Sequence, residues 1–401
     1  MLSRAHEVSL FERNSYLGGH TNTIVIPEGP DAGTPVDTGF IVCNPRNYPN
    51  FYRLLDELGV ARRDSDMSFG YFDPESGFGY TGPAIREFIR QPGNFIRPVF
   101  LRMAWDQCRF NRRALADLAA GAVGAVTLGE YARRLGVSAD FIRHYLVPLA
   151  ASIWSSPDTS VLDFPAITFL TFFRNHAMLN LGDRIVWQTV VGGSHAYIAA
   201  FRRIFPGRLE LADPVRSIRR TGSGAVVRRS TGVEESFDAV VLGVHADEAL
   251  ALLEDPSPEE RRALGAWRFH TNRTVLHTDT SVLPPRRSLW AAWNYCRRAG
   301  DAGDAPVGIT YWMNRLQGLR TERDYCVTLN DPGRIDPRHI VYETVYTHPE
   351  YTSGSVAAQG ELRRLNGTNR TWFCGAWLGY GFHEDGCAAG LAVARGFGLD
   401  L

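Results

Sequence analysis

The segment that most constrains this chain is its C-terminal run. It reads Phe373-Cys374-Gly375-Ala376-Trp377-Leu378-Gly379-Tyr380-Gly381-Phe382-His383-Glu384-Asp385-Gly386, followed by Ala388-Ala389-Gly390. A buried strand over 371–377 enters a glycine loop, and a helix of small residues is expected from about Cys387. Such a helix start offers unpaired backbone amides to an anionic group. The small residues let the helix pack closely against its neighbours. A plain glycine-rich loop is the alternative. A second apolar stretch, residues 236–244 (S-F-D-A-V-V-L-G-V), is expected as one continuous strand of a sheet covered on both faces.

The N-terminus carries the complementary pattern. His6 to Phe11 reads as a strand ending in Glu12, after a helical turn over Met1–Ala5, and Leu17-Gly18-Gly19-His20 follows. In a dinucleotide-binding sheet, an acid ending a strand accepts hydrogen bonds from ribose hydroxyls. Paired glycines let backbone amides approach a ligand with no side chain between. A strand end and a turn would look the same on this spacing alone.

Between these ends the period changes repeatedly. Short strands alternate over 22–42, and Pro49 to Gly59 reads as an amphipathic helix with Leu54, Leu55 and Leu58 on one side. A hairpin is expected over 66–82. Residues 84–120 read as helical and arginine-rich, broken at Gln91-Pro92-Gly93. Thr127 opens another helix with capping-box spacing, and 139–180 read as largely helical. Trp187 to Ala200 reads strand, Gly192-Gly193 turn, helix. Residues 209–230 read as a hairpin around T-G-S-G, and strands return over 256–365. Scattered sheet segments of this kind indicate two interleaved domains.

Length and composition fit that reading. The 401 residues suit two packed domains. Cationic and acidic side chains balance at 43 each, so no bulk field draws the chain to nucleic acid. Every cation is an arginine, which excludes a lysine base or Schiff base. Cys43, Cys108, Cys296, Cys326, Cys374 and Cys387 form no C-x-x-C pair, and His176, His195, His245, His270, His277 and His348 have no ligand spacing. No metal site is expected. The thiols read as reduced, in a cytoplasmic protein. No secretory signal is read at the N-terminus, and no stretch approaches the roughly 18 apolar residues of a span.

The two ends together resemble the FAD-binding frame of the flavin amine oxidase superfamily, in its bacterial branch of predicted NAD/FAD-binding proteins. The resemblance runs through F-E-R-N-S-Y-L-G-G-H-T-N-T, V-D-T-G-F-I-V, N-Y-P-N-F, I-W-S-S-P, V-G-G-S-H-A-Y, D-A-V-V-L-G-V-H-A-D, Y-W-M-N-R-L-Q and the C-terminal run, so it covers nearly the whole chain. It implies an α/β fold. A Rossmann-like, glutathione-reductase-type FAD-binding domain (1–60, 185–265 and 366–401) would interleave with a mixed α+β substrate domain (61–184 and 266–365).

The implied roles follow residue by residue. Glu12, with Arg13 beside it, would bind the adenosine ribose. Gly18, Gly19, His20 and Thr21 would line the pyrophosphate and flavin side, and Val215 would meet the adenine. Gly375, Gly379, Glu384 and Asp385 would sit by the pyrophosphate and ribityl chain. Tyr380, Gly381, Phe382 and His383 would lie near the isoalloxazine, with His383 and Tyr380 the candidates for catalysis. The family also opens with a strand and G-x-G-x-x-G, with the acid about 20 residues on. Glu12 is too early for that, so the expectation is a miscalled start or a truncated form with weakened FAD affinity. The G-x-G-x-x-G at Gly77–Gly82 is rejected, because it reads as a hairpin, Pro83 follows, and Arg97 stands where the acid belongs.

Familiar amine oxidases hold a water near the flavin with a lysine, and none exists here. Phe164, Phe169, Phe172, Phe173, Trp154, Trp290, Trp293 and Trp312 make the substrate side aromatic, which suits an apolar pocket or simply a packed core. The bacterial branch's link with cyclopropane-fatty-acid-type lipid modification points the same way. The expected activity is a flavin-dependent dehydrogenase or desaturase on a fatty-acyl lipid or other apolar small molecule. An amine oxidase and a non-catalytic scaffold are the alternatives. The stretch Arg86, Arg90, Arg97, Arg102, Arg109, Arg112 and Arg113, among Phe88, Ile89, Phe95, Ile96, Val99, Phe100 and Trp105, fits either a solvated helix face or peripheral contact with the inner membrane face. No specific protein partner is indicated.

Overall fold

A computed structural model describes residues 1–82, 92–155, 158–180, 185–297 and 308–401. The largest sheet has seven strands, in the order Ile340–Pro349, Phe269–His277, Cys326–Leu329, Ile309–Trp312, Trp293–Cys296, Phe69–Asp73 and Phe78–Gly82. All neighbours are antiparallel except Trp293–Cys296 and Phe69–Asp73, which run parallel with Trp293 opposite Phe69. Tyr71 and Tyr80 from this sheet are buried with Phe110, Phe141, Phe169 and Phe173 from the helices over 98–175, in one aromatic core. The hairpin expected over 66–82 is present, and it takes up the rejected G-x-G-x-x-G: Gly79 lies opposite Phe72 in an antiparallel ladder.

Two short parallel pairs stand apart from that sheet. Strand β1 (Ser9–Glu12) pairs with β2 (Arg208–Leu211), and β3 (Val240–Leu242) pairs with β4 (Thr371–Phe373). The continuous strand expected over 236–244 is divided. Glu234–Phe237 completes an antiparallel meander with Val215–Arg220 and Ala225–Arg229, and the chain then changes sheet at Asp238-Ala239 to enter β3. Nor is β3 covered on both faces, since Val241 is 38% exposed between buried Val240 and Leu242. The hairpin expected around T-G-S-G is present, Val215–Arg220 pairing antiparallel with Ala225–Arg229, but residues 209–211 before it belong to the parallel strand β2.

Three helices bear on the site, α1 (Pro49–Glu57), α3 (His195–Ile204) and α4 (His383–Gly396), while α2 (Pro98–Ala120) lies outside the cavity wall. Helix α1 buries Phe51 and Leu55, one turn apart, and leaves Leu54 and Leu58 only partly covered. Thr127 caps its helix as expected, accepting from Glu130 N at 3.2 Å while Glu130 accepts from Thr127 N at 2.8 Å. Helix α4 starts at His383, four residues before the expected Cys387. The Asp385 carboxylate accepts from Phe382 N at 2.9 Å and so fixes the start one turn upstream. The helix expected over 84–91, with Arg86, Phe88, Ile89 and Arg90, lies outside the described residues, as do Ser156 and Pro157 of I-W-S-S-P. No described helix is long and apolar enough to cross a membrane.

The meander is tied to the helix Pro258–Gly265 by a buried bidentate pair. Arg220 donates to Glu260 Oε1 at 2.6 Å and Oε2 at 2.9 Å, with side-chain exposures of 4% and 1%. Removing one partner strands the other charge, which costs about 3 kcal/mol or more. Arg220→Ala is expected to lower the unfolding free energy measured in urea by an amount of that order, and the midpoint with it. A midpoint unchanged from the parent would show that the pair carries no net stability.

Candidate functional site

Strands β1 and β3 and the inner face of the large sheet border one cavity of about 2230 Å³. Its outer end is lined by β1, Arg13, Val215 and Val240–Gly243. Gly18, Gly19, His20, Gly375 and His383 line the middle. Met67, Ile153, Trp293, Tyr311, Leu316 and Leu329 line the inner end. Among the described residues β1 pairs with β2 alone and β3 with β4 alone, and residues of both β1 and β3 face this space.

Most of the residues expected at a cofactor meet here. Glu12 ends β1 half-buried, its carboxylate accepting from Asn14 N at 2.9 Å, and Arg13 pairs with Glu248 at 2.6 Å. The turn after β1 requires glycine at Gly18, where φ is +124° and a Cβ would stand 2.5 Å from Thr21 O. Gly381 and Phe382 also line the cavity.

Other expected residues turn away from it. Tyr380 packs its ring on Phe172 at 5.8 Å. Glu384 reaches back to α1, accepting from Asn50 N at 3.2 Å, Asn50 Nδ2 at 2.6 Å and Phe51 N at 2.9 Å, so its carboxylate satisfies the first turn of that helix. Asp385 holds the start of α4 and lies so close to Gly379 that a Cβ there would meet its Oδ1 at 2.1 Å. What α4 offers the cavity is its first turn, through Phe382, His383, Gly386 and Cys387.

Two neighbourhoods escaped the sequence reading. His383 Nε2 lies 2.8 Å from Tyr197 OH and 3.0 Å from Thr21 Oγ1, and its ring stacks on Phe40 at 3.6 Å. Thr21 is fully buried behind the wall. Tyr197 and Phe40 fall inside the motifs V-G-G-S-H-A-Y and V-D-T-G-F, yet the pairing of Tyr197 with His383 spans 186 residues, beyond any local period. On the other side His20 stacks on Tyr346 at 4.8 Å and meets His348 edge-on at 5.2 Å. His348 in turn lies 6.0 Å from His270.

Burial sets the charge of this wall. It lowers His20 to about 4 and His383 to about 3, and holds His348 far below its ordinary value, with neighbouring His20 and His270 adding to the effect. All three rings are neutral near pH 7. Burial raises Asp37 and Asp385 to about 6, against the hydrogen bonds each accepts. Among the described residues no cluster of His, Cys, Asp and Glu is arranged to hold a metal ion.

An acid-ended parallel strand and a helix start facing one cavity are the marks of a nucleotide-cofactor fold. The chain belongs to the flavin-containing amine oxidoreductase family, whose model matches residues 1–314. It is thereby a flavin-dependent oxidoreductase. No curated protein matches it. Its fold is similar to that of a conjugated-linoleic-acid-producing fatty acid isomerase from P. acnes (14% identity, TM-score 0.67, 98% of this chain and 92% of that one). It is similar also to putrescine oxidase bound to putrescine (14%, 0.67, 97% and 92%). A putative protoporphyrinogen oxidase from Exiguobacterium sp. is a further likeness (14%, 0.65, 97% and 92%).

The wall fits a flavin. A Cβ added at Gly19 would meet nothing within 4 Å, one at Gly243 only Cys374 Sγ at 3.5 Å, and one at Gly386 only Ala376, no closer than 3.8 Å. At these three positions the cavity is bounded by bare backbone, open to a flat ring or a phosphate.

Two outcomes follow for stability. Glu384→Ala removes a carboxylate that accepts three hydrogen bonds, and is expected to cost about 1–3 kcal/mol in chemical unfolding. Glu384→Gln is expected to cost less, because its amide oxygen can still accept. Equal losses for both variants would show that the charge, not the acceptor, is what matters.

The second outcome concerns pH. His20, His176 and His277 at about 4, His383 at about 3 and His348 well below its ordinary value are neutral in the fold, yet titrate near 6.5 when unfolded. Below about 6.5 the unfolded chain therefore binds more protons, and stability falls with pH down to about 4. Asp37 and Asp385 oppose this, since their raised values add stability as pH falls through about 6. The histidines outnumber them, so Tm is expected to drop steadily between about pH 7 and about pH 4.5. A Tm that holds or rises over that range would contradict the burial of these rings.

Proposed function

We propose that the chain is an FAD-dependent dehydrogenase or desaturase acting on an uncharged, apolar substrate of the fatty-acyl lipid class. The observation that carries this reading is the inner end of the cavity. Met67, Ile153, Trp293, Tyr311, Leu316 and Leu329 line it, and the acids among the described lining residues (Glu7, Glu12, Glu235, Asp238 and Glu248) belong to or adjoin β1, the meander and the helix whose Glu248 pairs with Arg13 instead. A substrate ammonium would lose its hydration there with no counter-charge, a cost of several kcal/mol. An acyl chain loses nothing of the kind and gains by leaving water. The likeness to a fatty acid isomerase supports the same class.

Glu12 would hold the ribose hydroxyls of FAD and Val215 would flank the adenine. Gly18, Gly19, His20 and Gly375, with the first turn of α4, would hold the middle of the cofactor. When bound, the flavin accepts a hydride from a substrate carbon. The chain's own residues position and desolvate. The aromatic inner wall excludes water from the reacting carbon. Thr21, Tyr197 and Phe40 fix the His383 ring, and His20 and His383 are both neutral, so neither adds a fixed positive charge to the wall.

An amine substrate is the second reading, favoured by the family and by the likeness to putrescine oxidase. Against it stand the absence of lysine and, among the described residues, the absence of an acid at the inner end. The test is to titrate the purified chain with FAD, follow the visible bands of oxidised flavin, and then add substrates without oxygen. Bleaching by fatty-acyl esters and not by putrescine or monoamines is the expected result. Bleaching by amines alone overturns the substrate class. No flavin bound at any FAD concentration leaves the scaffold reading in front.

A further inference from the structure

We infer that the N-terminal half of α2, with the two residues before its cap, is a docking face for an anionic lipid bilayer. Phe95 (45%), Ile96 (84%), Leu101 (51%) and Trp105 (72%) are large apolar side chains left exposed within eleven residues. Leu101 and Trp105 stand one turn apart on the same helix face. A helix whose outward face were merely solvated would carry polar residues at these places.

The charges on this helix are sorted by side. Its arginines, Arg102, Arg109, Arg112 and Arg113, are exposed or half-exposed, and Arg97 stands at its cap. Its two acids, Asp106 and Asp117, are buried. Asp106 accepts from Arg109 at 3.0 Å and from Ser138 N at 2.9 Å. Asp117 pairs with Arg113 at 3.0 Å and accepts from Tyr131 OH at 2.9 Å. Arg102 pairs with Asp140 of a neighbouring helix at 3.1 Å, and Arg112 has no ion pair among the described residues. The helix therefore shows solvent cations and apolar groups, and turns its anions inward.

That sorting is complementary to a surface with anionic headgroups above an apolar interior. Guanidinium groups meet the headgroups while Trp105, Leu101, Ile96 and Phe95 enter the boundary beneath. Helix α2 does not line the cavity, so the inference is independent of the substrate reading and can fail or stand separately.

The full chain is mixed with vesicles of phosphatidylcholine alone, and of phosphatidylcholine with phosphatidylglycerol, and sedimented. Binding to the anionic vesicles is expected, falling as salt rises. Leu101→Ser with Trp105→Ser is expected to cut the bound fraction about tenfold or more. Arg102→Gln with Arg112→Gln is expected to weaken binding and flatten its salt dependence. Val233→Ser, an exposed apolar side chain in the meander, serves as a control and is expected to change nothing. None of these substitutions empties a buried site, so the variants are expected to melt like the parent. Equal binding to both vesicle types, or no binding to either, overturns the inference. A dimer in solution that the Leu101 and Trp105 substitutions dissociate assigns the face to a second copy of the chain instead.

Discussion

His383 is held by hydroxyls from two segments that lie far from it in sequence. Thr21 belongs to the turn after the first strand, Tyr197 to α3, and His383 opens the last helix, yet the three polar atoms lie within 3.0 Å of one another and Phe40 closes over the ring. None of these groups carries a fixed charge at neutral pH, because burial keeps the imidazole neutral and the Tyr197 phenol well above its ordinary value. A buried polar cluster of this kind is stable only when every member finds its partner. The glycine turn, α3 and the start of α4 are thus fixed relative to one another, and the middle of the cavity wall follows from their placement.

The same logic governs the two acids next to His383. A cofactor site suggests that Glu384 and Asp385 should face the ligand, but both carboxylates are spent on helix ends. Glu384 satisfies amides of α1 and Asp385 satisfies the start of α4. Unpaired amides at a helix start must be met by some acceptor. Here the acids meet them behind the wall, which leaves the backbone of the first turn of α4, bare at Gly386, for the cavity side. The acids shape the site without lining it.

How far the sequence could be read follows from which interactions are local. The hairpin at Phe69–Gly82, the Thr127 capping box, the turn at Gly18-Gly19 and the strand-to-helix passage at Trp187–Ala200 depend on neighbours a few residues away, and their patterns announce them. The division of 236–244 between two sheets does not, since an apolar run looks the same whether it serves one strand or two. The sequence places the start of α4 too late because Gly379, Gly381 and Gly386 resemble a loop, and because the cap position is held by Phe382, not by a side chain that marks a helix start. Tyr197, Phe40, Tyr346 and His348 were legible as residue types but not as partners, because their contacts join segments distant in sequence.

The cavity's polarity is graded along its length, and that gradient ties the fold to its chemistry. Its charged end is built from Glu12, Arg13, Glu248 and the meander, where acids and arginines pair with one another. Its middle is backbone and neutral rings. Its inner end rests on the seven-stranded sheet, whose Trp293 and Tyr311 rings meet at 5.2 Å, and no acid of that sheet lines the cavity among the described residues. A molecule with a charged nucleotide end and a flat, less polar head matches that order in one direction only. On the proposed function the inner end would receive whatever the head acts on, and an environment that cannot solvate charge would favour an apolar partner.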